Sequence, residues 1–152
     1  NSIAQGAQPI ISFNYGYGDL QRVKSTERVA IKTAIISGLI MGALFLLGRY
    51  PLTDIFLSVE STAGNIAVSA FPYYALCAVP YIFNIASIGY FQSIGKVAPS
   101  VLFSLLRGPV FLIPSFLLLP TAIGVTGIWI ALAVSELMTA VCICAYYWKH
   151  HK

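Results

Sequence analysis

Charge is what this sequence has least of. Nine Lys and Arg and five Asp and Glu are spread over 152 residues, 9% of the chain, where soluble domains carry about 25%. So few charges cannot build a water-facing surface on a chain that is 58% hydrophobic with a mean hydropathy of +0.81. That shortage counts against a soluble enzyme, a secreted disulfide domain, a nucleic-acid partner and a disordered tail. Cysteine is scarce as well: Cys77, Cys142 and Cys144 lie in apolar stretches with no CxxC spacing, so neither a disulfide framework nor a zinc site is expected. No nucleophile stands beside a base, and the Gly16-Tyr17-Gly18-Asp19 run is too short for a dinucleotide fingerprint. The chain is read as a non-enzyme with no cofactor.

What the sequence does hold is one apolar run after another, which makes it an all-α polytopic membrane protein. Reading the charges as punctuation gives a partial span at about 1–13 and four full spans at about 29–48, 66–91, 101–119 and 127–148. Thirteen helical residues reach only about 20 Å, short of the roughly 30 Å hydrocarbon core. Because the chain opens with Asn1 inside that partial span, it is read as the C-terminal part of something longer. Between the partial span and the first full one, Asp19 is placed as a helix cap. Arg22, Lys24, Arg28 and Lys32 follow on a connector expected to lie along the headgroups. Gly38 and Gly42 form a GxxxG pair, expected to serve packing inside the chain.

Side placement follows from the positive residues. Four precede the first full span, Lys96 and Arg107 are assigned between the second and third, and Lys149 and Lys152 close the chain; Arg49 alone faces the other way. Eight of nine on one side predicts a cytoplasmic C-terminus, with Tyr146, Tyr147 and Trp148 as an interfacial anchor. The terminal His150-His151 pair is too little for a metal site.

One acid, Glu136, is placed deep in a full span, where an ionised carboxylate costs roughly 2.5–3.5 kcal/mol on insertion scales. Such a group faces a cavity, pairs with a cation or carries a proton. Two readings stand side by side: a ligand for a coupling ion or cationic substrate, and an ion pair with Arg107 on the neighbouring helix. Asn14, Asn84 and Gln92 are candidates to line a polar pathway or to make interhelical hydrogen bonds. Pro72, Pro80, Pro109 and Pro114 predict bent helices around it. Phe71, Tyr73, Tyr74 and Tyr81 either face organic cations there or serve lipid contact and packing.

Several motifs, in order, carry a family resemblance. The run from Ala4 to Lys24, with Gln8-Pro9, Asn14-Tyr15-Gly16 and Arg22-Val23-Lys24, resembles the segment that closes the eighth helix of multidrug and toxic compound extrusion (MATE) transporters. Phe91 to Lys96 resembles the turn before their eleventh helix, and the stretches from Leu105 to Pro120 and Gly124 to Glu136 resemble their last two. The resemblance implies the second lobe of a twelve-helix, two-lobed transporter, with the N-terminal lobe as its partner in the same chain. It also implies export of small organic cations in exchange for Na+ or H+ across a bacterial plasma membrane. Members often credit ion coupling to acids in the first lobe and in the seventh and tenth helices; the tenth-helix region here, about 66–91, has none. Two alternatives remain: a lipid-linked sugar flippase of the same superfamily, expected to line its cavity with several basic residues, and a non-transporting membrane scaffold.

Overall fold

A computed structural model describes residues 2–150, with side chains through Lys149; Asn1, His151, Lys152 and the His150 side chain lie outside it. The histidine pair and one of the two terminal lysines therefore fall beyond the described residues. The chain runs α1 (Ser2–Gly16), α2 (Leu20–Asp54), α3 (Thr62–Ser93), α4 (Val97–Leu105), a π-helical segment (Leu106–Val110), α5 (Leu112–Ile123) and α6 (Val125–His150). No strand occurs among the described residues. Four stretches are long and apolar enough to cross a membrane: α2, α3, α4 through α5, and α6.

Both ends of the α1–α2 link are written in local chemistry. Gly18 takes φ +82°, so its N–H reaches Tyr15 O and the Asp19 N–H reaches Asn14 O; this is a Schellman stop, which favours glycine at the left-handed position. Asp19 then accepts from the Arg22 N–H at 3.0 Å and starts α2. The end of α3 repeats the device: Gly95 has φ +70°, with Gly95 N donating to Gln92 O and Lys96 N to Phe91 O. Two of the stretches that carry the family resemblance are thus helix-stop signals at one end of the bundle.

The helices run longer than the charge pattern suggested. The connector at 20–32 is not a separate surface helix: it continues unbroken into the span, because no proline interrupts it before Pro51. At about 1.5 Å per residue α2 is roughly 52 Å long and overreaches the hydrocarbon core. The other spans extend beyond 66–91, 101–119 and 127–148 by a few residues at most ends, where capping turns rather than charges set the limits. In the third span, Pro109 cannot donate a backbone bond; the chain widens into a π turn there, closed by Phe111 N donating to Leu106 O at 2.9 Å. Pro114 falls in the first turn of α5, where a missing N–H costs little.

α3 is the spine: α1, α2, α4 and α6 all pack on it, and α5 packs on α6. Gly38 and Gly42 do face α3, where a Cβ on Gly38 would lie 2.7 Å from Val79 Cα and one on Gly42 3.0 Å from Ala75 O. Phe91, Phe103 and Ile143 fill the centre of a core at one end. Phe91 lies 5.4 Å from the Tyr146 ring and 5.5 Å from the Tyr147 ring. These two tyrosines are half-buried against that core, whereas Trp148 is 76% exposed.

Candidate functional site

A cavity of about 580 Å³ opens between α1 and the α4–α5 span, with α3 and α6 behind it. α1 contributes Gln8, α3 contributes Tyr81 and Gln92, the π segment contributes Arg107, and α6 contributes Glu136. Gln8 Nε2 donates to Gln92 Oε1 at 3.1 Å across its mouth.

The cavity's electrostatic centre is the Arg107–Glu136 pair. Arg107 Nε donates to Glu136 Oε1 at 2.7 Å, and the two side chains are 23% and 4% exposed. Both sit near mid-depth: Arg107 lies about 15 Å into its span from Val97, and Glu136 about 16 Å from Val125, at ~1.5 Å per residue. Arg107 is thus deeper than one or two turns from the helix end, and at that depth its charge does not mark either side of the membrane. Its guanidinium also stacks 4.5 Å from the Tyr81 ring centre, a contact that stabilises a cation away from water.

Asn84 buttresses the acid from behind. Its Nδ2 donates to Glu136 Oε2 at 2.8 Å and to the Glu136 backbone O at 2.9 Å, which fixes the carboxylate's second oxygen while Arg107 holds the first. Asn84 is fully buried and outside the cavity walls, and its Oδ1 has no hydrogen-bond partner. A buried acceptor left without a donor costs free energy.

The other sequence candidates separate cleanly. Gln92 and Gln8 line the cavity, whereas Asn14 donates to Ile10 O within its own helix at 2.7 Å and is buried elsewhere. Pro9, Tyr15 and Gly16 are exposed on α1. Of the aromatics, Tyr81 meets the cavity; Phe71 packs on Phe45 and Tyr74 on Trp129. Cys77, Cys142 and Cys144 are free thiols.

Sequence reading passed over a second buried acid. Glu27 is 5% exposed, and its carboxylate interacts with the side chains of Tyr90 on α3 and Tyr147 on α6. The signal was available: Val23, Glu27, Ala34, Gly38 and Gly42 follow one another at helical spacing on the buried face of α2. The carboxylate ties α2, α3 and α6 together at one end. Tyr147→Phe removes the hydroxyl that interacts with this carboxylate and is expected to lower stability by about 0.5–1.5 kcal/mol, measured by thermal melting in detergent.

Among the described residues no group of three His, Cys, Asp or Glu side chains is placed to hold a metal ion. Neither a curated protein nor a solved structure matches the chain. The family model MatE, however, matches residues 1–117, which takes in α1 to α3, the π segment and four of the five cavity side chains named above. With four membrane-spanning stretches and that match over most of its length, the chain belongs to the MatE family of membrane transporters.

Proposed function

We propose that residues 1–152 form the C-terminal part of the second lobe of a secondary active exporter. Its cargo is a small organic cation or toxic compound, exchanged for Na+ or H+ across a bacterial plasma membrane. The observation that carries this reading is the mid-depth cavity, where a stacked guanidinium and a buried carboxylate meet three glutamines, Gln5, Gln8 and Gln92. A polar cavity at that depth is costly to maintain in a bilayer and characterises a pathway more than a scaffold. Glu136 is the cation ligand, and Arg107 occupies it until cargo or the coupling ion displaces it. Tyr81 offers the displaced guanidinium, or an aromatic cargo, a face to stack on. Asn84 holds the carboxylate in place, and Gln8 and Gln92 set the width of the mouth.

The flippase alternative calls for several uncompensated basic residues in the cavity. Arg107 is the basic side chain lining it among the described residues, and Glu136 neutralises it, which favours the cation. The bundle end bearing Arg22, Lys24, Arg28, Lys96 and Lys149 faces the cytoplasm in this reading, by the positive-inside rule.

The test places a single reporter at the mouth. In the full-length transporter with its native cysteines removed, Gln92→Cys is expected to react with a charged thiol reagent and to be protected by ethidium. The same vesicles should expel ethidium when a sodium or proton gradient is imposed. Unprotected labelling together with no gradient-driven export would overturn the reading.

A further inference from the structure

α2 and α6 both pack on α3, and their backbones stay apart, meeting through the Glu27 and Tyr147 side chains. The gap between them is a second cleft, of about 380 Å³, on the side of the spine away from the Arg107–Glu136 cavity. Glu27 and Ile31 line it from α2, Phe83 from α3, and Cys144 with Tyr147 from α6; Lys24 and Arg28 stand at its rim. The lysine and arginine are exposed, four residues apart on one helix, so their side chains project together. Among the described residues neither makes an ion pair. Glu27, which sits between them in sequence, is 5% exposed, and its carboxylate interacts with Tyr90 and Tyr147 instead of standing at the rim. The charges at the rim are positive; the wall below holds the buried Glu27 carboxylate beside the apolar surface of Ile31, Phe83 and Cys144.

We propose that this cleft is a binding site for an anionic phospholipid. The phosphate lies between Lys24 and Arg28, and one acyl chain runs down past Ile31 and Phe83 beside Cys144. A phosphodiester suits the rim because two cationic donors a helical turn apart can each reach one of its oxygens. A free phosphate would leave the apolar lower half of the cleft unfilled; a neutral lipid would leave the two cations without an anion. Basic pockets between membrane helices select lipid headgroups by this combination of charge and depth. Bound there, the lipid fills the space between the α2 and α6 backbones. The site is separate from the cavity and stands whatever the cargo is.

The test uses Cys144, which is exposed. In the full-length protein with Cys144 as its single cysteine, a bimane label is placed there and the protein reconstituted with acyl-brominated lipids. Brominated phosphatidylglycerol is expected to quench the label several-fold more than brominated phosphatidylcholine at equal mole fraction. Lys24→Gln combined with Arg28→Gln should erase that preference without moving the melting temperature. Native mass spectrometry of the unlabelled protein should retain phosphatidylglycerol in preference to phosphatidylcholine. Equal quenching by the two lipids would overturn the proposal, as would a preference that survives the double substitution. No quenching by either lipid would mean that another protein segment covers the cleft, and would overturn it as well.

Discussion

Glu136→Gln is expected to fold and to lose gradient-driven export of a cationic dye. The glutamine keeps a carbonyl oxygen for Arg107 Nε, and its new amide can donate to Asn84 Oδ1 if that side chain flips. The flip gives up both Nδ2 bonds, to the Glu136 carboxylate and to its backbone oxygen, and gains one to the otherwise unpartnered Asn84 oxygen, a net loss of one hydrogen bond. The negative charge is gone, and with it the attraction for a cation. Arg107→Ala behaves differently. It leaves a carboxylate that is 4% exposed with Asn84 as its remaining donor, and breaking one side of a buried pair costs about 3–5 kcal/mol. Replacing both residues with leucine removes the uncompensated charge and should recover most of that stability, yet not export. Dye efflux in everted vesicles, paired with thermal melts, separates the roles. Wild-type efflux by Glu136→Gln would make the pair purely structural.

Gly38→Leu is expected to prevent the α2–α3 hairpin from forming. A Cβ at Gly38 already falls 2.7 Å from Val79 Cα, a backbone atom that cannot turn aside. Even Gly38→Ala should destabilise. It gains about 1 kcal/mol of helix propensity, but overpacking a fixed contact costs about 1–3 kcal/mol, and at this distance the upper part of that range applies. Gly42→Ala should be milder, since its nearest atom is Ala75 O at 3.0 Å. Size-exclusion profiles with thermal melts check the order of severity, in which Gly38→Leu exceeds Gly38→Ala and Gly38→Ala exceeds Gly42→Ala. If these glycines instead served contact between copies of the chain, Gly38→Leu would give a stable, folded monomer.

The spans were legible because the charges that delimit them are so few. Glu136 and its partner Arg107 were legible for the same reason: an isolated acid in a long apolar run needs a cation, and few lie within reach. The capping of α2 by Asp19 followed from residue type alone. Glu27 was missed because its sequence neighbours Lys24 and Arg28 make the whole segment read as solvated; its burial shows only in the helical register that it shares with Val23 and Gly38. Asn14 and Asn84 had equal standing as polar residues in apolar helices. What separated them was tertiary: one bonds its own helix and the other bonds the α6 acid, and no local pattern encodes which helix will lie opposite. The tyrosines before Trp148 were ambiguous in the same way, since an aromatic belt and an aromatic core look alike until the α3 partner Phe91 is in place.

The short link between α5 and α6 has a consequence for how the protein is made. Gly124, at φ +67°, joins the two helices with scarcely any chain between them, and Gly127 packs against the backbone of Leu119 and Pro120 so closely that no side chain would fit there. The third span and α6 can therefore enter the bilayer as one hairpin instead of in sequence. Entering singly, each would carry one bare charge into hydrocarbon at roughly 2.5–3.5 kcal/mol. Entering together, they bring Arg107 and Glu136 in already paired, and the hairpin is electrically neutral at the depth where charge is hardest to place.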